Sequence, residues 1–85
     1  MLLEFYGQEC PHCLAMDELV GKLEKEEGVQ VERIEVWHNA VNARRLAQID
    51  KNLCGGVPFF FNTGNNQWVC GEASYEELRQ WAGIS

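Results

Sequence analysis

The sequence predicts an α/β fold of order β-α-β-α-β-β-α, a four-stranded mixed sheet with helices on both faces. Three features carry that reading. A short apolar run, "LLEFY" at 2–6, leads straight into "GQECPHC" and then a helical stripe of Met16, Leu19, Val20 and Leu23. A second strand-like run, "VQVERIEV", is followed by another helical stripe. Two further apolar runs, "VPFFF" and "QWVCG", flank "NTGNN", which has the turn chemistry of a hairpin. A helix joining the first two strands makes them parallel and their crossover right-handed. The hairpin makes the last two antiparallel, and the apolar faces of the helices need both sides of the sheet.

Each element has its own signals. The first strand, 2–6, ends at Gly7. Pro11 suits the first turn of the next helix, where its missing N–H leaves no bond unmade. Gly28, after "EKEE", is a good stop. The strand at 29–36 alternates as Val29, Val31 and then Ile34, Val36, with one slip of register. Asn39 can cap a second helix in which Leu46, Ile49 and Leu53 share a face and which ends before Gly55-Gly56. "VPFFF" begins the third strand at Val57, and "QWVCG" is the returning strand. Ser74 and Glu77 form a capping box, and Leu78, Trp81 and Ala82 give the last helix its apolar face.

An 85-residue chain is one small domain, 1–85, and 46% apolar residues can build its core without a dense disulfide framework. The net charge of -6 argues against nucleic acid, whose phosphates call for clustered Lys and Arg. No apolar run approaches the ~20 residues that cross a bilayer. "MLLEFYG" is too short and lacks the basic flank of a signal peptide. A reducing, cytoplasmic location is the expectation, or an organelle lumen or stroma if a targeting segment has been removed. A monomer is expected.

The four cysteines stand at 10, 13, 54 and 70. Only Cys10 and Cys13 are close, as C-x-x-C. By itself that spacing is open to three readings: half a metal site, a structural staple, or a dithiol that cycles to a disulfide. Positions 54 and 70 fit the usual zinc templates poorly, so no metal site is expected. For Cys54 and Cys70 the simplest reading is two packed thiols. The alternatives are a second disulfide or a shuttle to Cys10. Trp37 ends the second strand, on the side where open α/β sheets bind ligands, and either lines that surface or covers the core.

A strand, then C-x-x-C opening a helix, then Val57-Pro58 opening a later strand resembles the thioredoxin superfamily in its minimal, glutaredoxin-sized form. The stretches "LLEFYGQECPHC", "GGVPFFF" and "VCGEASYEEL" carry the resemblance over nearly the whole chain. It implies a thioredoxin fold and thiol–disulfide exchange with no cofactor. Cys10 is then the nucleophile, its thiolate favoured by the free N–H groups of the helix start, and Cys13 is the less accessible resolving thiol. Glu4 resembles the buried acid that helps deprotonate the second cysteine; alternatively it faces solvent. Pro58 resembles the cis-proline, leaving the backbone of Val57 to pair with an extended substrate, with Cys70 and Gly71 bordering the same surface. "CPHC" is similar to the motif of periplasmic disulfide oxidases, although their helical insertion and export signal are not visible. His12 is expected to stabilise the Cys10 thiolate and Glu9 to oppose it; a histidine merely exposed on the helix is the plainer alternative.

The expected partners are therefore protein disulfides, with a reductase or glutathione as electron donor. A glutathione-dependent glutaredoxin activity is the nearest alternative, but no Lys or Arg lies near the motif, and Glu72-Ala73-Ser74 follows Gly71. A zinc or iron–sulfur module using Cys10, Cys13 and Cys54 or Cys70 is another class. A non-catalytic interaction domain is a third.

Overall fold

The computed structural model describes residues 1–84; the expected domain span ends one residue beyond. The elements are β1 (Leu2–Tyr6), α1 (Pro11–Glu27), β2 (Val31–Glu35), α2 (Ala40–Asp50), β3 (Phe59–Asn62), β4 (Trp68–Cys70) and α3 (Tyr75–Trp81). They form one sheet of order β2-β1-β3-β4. β1 runs parallel to β2 and antiparallel to β3, and β4 closes the hairpin with β3. The predicted architecture is the observed one.

Two cores lie on opposite faces of the sheet. On one, Met16, Val20 and Leu23 of α1 and Leu78 and Trp81 of α3 pack on Val31 and Phe60, with the Phe60 and Trp81 rings edge to face at 5.4 Å. On the other, Leu3, Phe5, Ile34, Val36 and Phe59 meet Ala43, Leu46 and Ile49 of α2. This arrangement accounts for the broken alternation of the second strand. Val29 and Val31 belong to the first core, Ile34 and Val36 to the second. Residues three apart on a strand face opposite sides, so the slip marks a change of core and not a bulge.

The helix ends follow their caps. Cys10 is the N-cap of α1, Pro11 is its first residue, and Gly28 closes it at φ 67°, donating to Glu24 O. Asn39 caps α2 through the Asn42 N–H. At Ser74 both halves of the capping box are made. Asn62, buried, ties the hairpin turn to α3: its amide donates to Trp81 O and its oxygen accepts from Gly64 N.

Four boundaries differ from expectation. β2 is shorter than 29–36, because only residues 31–35 lie in register beside β1. α2 stops at Asp50, where Lys51 and Asn52 turn left-handed. Leu53 therefore lies outside the helix and is 46% exposed instead of sharing the apolar face. β3 starts at Phe59, not Val57, since Pro58 has no N–H for a ladder. β4 spans three residues, not five.

Candidate functional site

The C-x-x-C pair sits where β1 hands over to α1. The Cys10 N–H donates to Gly7 O at 3.0 Å, which turns the chain into the helix. As N-cap, Cys10 presents its Sγ to the Cys13 N–H at 3.2 Å, and the Val57 carbonyl oxygen lies 3.9 Å from the same sulfur. Both cysteines are free thiols and both are buried, at 3% and 2% exposure. Exposure does not separate them, contrary to the expectation that Cys13 is the less accessible. Their hydrogen bonding does: the Cys10 sulfur faces an N–H donor at the helix start. Burial, and then the hydrogen bond with Cys10, push the Cys13 thiol up to about 12, with the charge of Glu4 adding to the effect.

Glu4 does not face solvent. It is fully buried on the α1 side of β1, opposite Arg33 in the strand register. Arg33 Nε approaches Oε1 at 3.5 Å, and neither carboxylate oxygen has a hydrogen-bond partner. Desolvation raises its pKa to about 7, with Arg33 opposing and Asp17 and Glu24 adding to the rise. A carboxyl group in this state exchanges a proton near neutral pH.

The Val57–Pro58 bond is cis, and Pro58 is buried. The Gly71 N–H donates to Pro58 O at 2.8 Å, which brings Gly71 beside this segment. Cys54 and Cys70 are joined in a disulfide with Cα atoms 5.4 Å apart, so the packed-thiol reading is overturned. The hairpin accounts for it: Cys70 pairs with Phe59, and the loop from α2 passes the same edge. The pairing also withdraws both cysteines as further thiolate ligands. Among the described residues no three His, Cys, Asp or Glu side chains gather as a metal cluster.

Trp37 is half exposed and lies over Gly7, with no room for a side chain on the glycine. It also walls a cleft of about 350 Å³ whose lining includes Val36, Leu46, Gly55, Gly56 and Val57. His12 does not turn to Cys10. Its Nδ1 pairs with Glu72 Oε2 at 2.5 Å, on the segment after β4. Glu9 is likewise taken up by His38, whose Nε2 lies 2.8 Å from both carboxylate oxygens. The expected opposition of His12 and Glu9 is replaced by two separate bridges, one on each flank of the motif. The Glu9 bridge raises the His38 pKa, with Glu35 adding to it.

Sequence reading missed Glu35, Asp50 and the two bridges. Glu35 accepts from the N–H groups of Gln8, Trp37 and His38 and so fastens the loop after β2 to the approach to Cys10. Desolvation works against its charge, but these three donors outweigh it and hold the carboxyl below the usual range. Asp50 accepts from Cys54 N and Gly55 N and shapes the segment leading to Val57. An acid between Ile34 and Val36, or one ending a helix before "KNLCGG", was the available signal. It is a faint one, since most such acids are solvated.

No family model matches the chain, and no curated protein matches it. Among solved structures, it is similar to the crystal structure of a mutant of a thioredoxin-like protein: TM-score 0.67 at 21% identity, covering 99% of this chain and 96% of that one. At that identity the likeness is one of fold, and with the sheet order and helix placement above it shows that this chain has a thioredoxin-like fold.

Proposed function

We propose that the protein is a thiol–disulfide oxidoreductase that exchanges the Cys10/Cys13 dithiol with protein disulfides. The observation that carries the reading is the Cys10 sulfur at the N-cap of α1, receiving the Cys13 N–H and facing the Val57 carbonyl. A sulfur at a helix start faces backbone N–H groups that have no partner within the helix. The Cys10 thiolate attacks one sulfur of the substrate disulfide, and the other sulfur leaves as a thiolate. Cys13 must then lose a proton that its burial holds tightly, and Glu4 is the acceptor on the same side of the sheet. The Cys13 thiolate attacks Cys10 Sγ and releases the second substrate thiolate. Two electrons pass to the substrate and a Cys10–Cys13 disulfide is left, to be reduced by a reductase or by glutathione. The Val57 backbone and Trp37 receive the substrate chain, with Cys70 and Gly71 on its border. Pro11 supports the motif by opening the helix in a fixed conformation.

The reading is tested by insulin reduction with glutathione or a thioredoxin reductase as donor. Cys10→Ser is expected to abolish activity, and Cys13→Ser to accumulate a covalent substrate complex seen on a non-reducing gel. Activity retained in Cys10→Ser and lost without trapping in Cys13→Ser would reverse the two roles. No turnover with any donor or disulfide protein would overturn the reading.

A further inference from the structure

Four features converge on the segment between α2 and β3. Residues 51–57 carry no ladder pairing. At its start the segment is held by Asp50, whose carbonyl accepts from Leu53 N and whose carboxylate accepts from Cys54 N at 2.7 Å and Gly55 N at 2.9 Å. Beyond these bonds Gly55 and Gly56 are exposed, and neither would meet a neighbour if it carried a Cβ. The segment then delivers Val57, whose carbonyl faces Cys10.

The disulfide joins this segment, which has no ladder pairing of its own, to a fixed frame. Cys70 stands in the β3–β4 ladder opposite Phe59, and the next residue, Gly71, continues the pairing to Pro58 O. Cys70 is exposed and Cys54 half-buried, whereas Cys10 and Cys13 are buried. The outer pair is the one that stands as a disulfide and is the more exposed of the two, and breaking it frees the loop without removing any strand pairing.

We propose that Cys54–Cys70 is a second, redox-labile site whose oxidised form locks residues 53–57 in the shape that docks a partner chain beside Cys10. The docking half of this inference rests on the exchange reading of Cys10 and Cys13; the lock itself does not. The reductant is a dithiol. One of its thiolates attacks the sulfur of Cys70, the more exposed residue of the pair, the Cys54–Cys70 bond breaks, and Cys54 leaves as a thiolate that takes up a proton. The second thiol of the reductant attacks the mixed disulfide, Cys70 is released as a thiol, and the reductant departs as a disulfide. The pair gains two electrons and two protons. The loop then keeps its bonds to Asp50 and the packing of Cys54 and Val57 on the second core but loses its covalent tie, and Val57 is presented less firmly.

The test has two arms. The first uses the Cys10→Ser/Cys13→Ser chain in dithiothreitol redox buffers, with alkylation and mass spectrometry to count thiols and amide hydrogen exchange to follow the backbone. Cys54 and Cys70 are expected to titrate together as one two-electron couple. Exchange at residues 53–57 should accelerate at least ~10-fold on reduction while Phe59–Asn62 stays protected. The lock is overturned if dithiothreitol leaves the pair oxidised, if exchange at 53–57 does not change, or if protection is lost across the whole sheet. The second arm compares Cys54→Ser with the parent chain, so that Cys70, on the border of the substrate surface, keeps its side chain. KM for a disulfide protein should rise ~10-fold, and its ratio to the KM for a small aromatic disulfide, which needs no docking loop, should rise with it. Equal KM values would overturn the docking role. If the parent chain exchanges with no protein disulfide, the exchange reading fails, and the first arm still decides the lock.

Discussion

Glu4 shows how a single residue changes meaning with its surroundings. In the sequence it is one acid in a strand; in the fold it is enclosed, with only Arg33 nearby to offset its charge. Its folded-state pKa of about 7 stands above the ordinary carboxyl value of 4.5, so the folded chain holds a proton that the unfolded chain has released. That contribution is complete below about 4.5 and is lost as pH rises through about 7. Stability should fall across this window, by an amount on the order of 3 kcal/mol for a group this enclosed. Glu4→Gln should flatten the fall in urea titrations taken at several pH values, and should slow resolution of a trapped mixed disulfide. If the Glu4→Gln chain kept the parent's pH dependence, Glu4 would not be its source. Gly7 makes the opposite point, a residue needed for what it lacks. A Cβ there would fall within 2.6 Å of Trp37 Cε3 and closer still to Cδ2 and Cε2. Gly7→Ala should drive the indole off the backbone, shifting its emission to the red and lowering exchange with protein disulfides. Unchanged emission would show that the ring is not held there.

At the scale of elements, the capping box of α3 has a measurable weight. Ser74 and Glu77 each satisfy the other's backbone N–H at 3.2 Å. Ser74→Ala should cost about 1 kcal/mol, read as a lowered urea midpoint with the slope unchanged. An unchanged midpoint would mean that packing of Leu78 and Trp81 alone sets this helix. The caps, the hairpin and the helical stripes were legible because their signals are local: a cap needs its neighbours within three residues, and a stripe needs only its period. What was not legible depends on distance in the chain. Cys54 and Cys70 meet only once Phe59 is set against Cys70, and Glu9 and His38 only once the loop after β2 is fastened by Glu35. Nearness in sequence assigns His12 to Cys10, yet Glu72, 60 residues away, holds it. Leu53 misleads for a different reason. Its spacing fits the helix, but Lys51 and Asn52 turn left-handed before it.

For the whole molecule, the site is a convergence of termini. The end of β1, the start of α1, the loop after β2, the entry to β3 and the exit from β4 meet at one end of the sheet, and two cores hold that end from opposite faces. The sheet order carries a consequence for the birth of the protein. β1 precedes every other strand but is interior in the finished sheet, between β2 and β3. A chain growing from its N-terminus can pair β1 with β2 once residue 35 has emerged. The other edge of β1 then waits, with Leu3 and Phe5 uncovered by Phe59, until residues 59–62 follow. An unpaired apolar edge is a template for another chain. A chain halted at Gly56 should therefore self-associate in sedimentation at concentrations where the full chain does not. A monomeric halted chain would show that β1 and β2 do not form before β3. The same order governs the thiols: Cys54 emerges into the company of Cys10 and Cys13, sixteen residues before its own partner exists. In the finished fold Cys10, the N-cap of α1, and Cys13, in its first turn, are buried and take no part in that pairing.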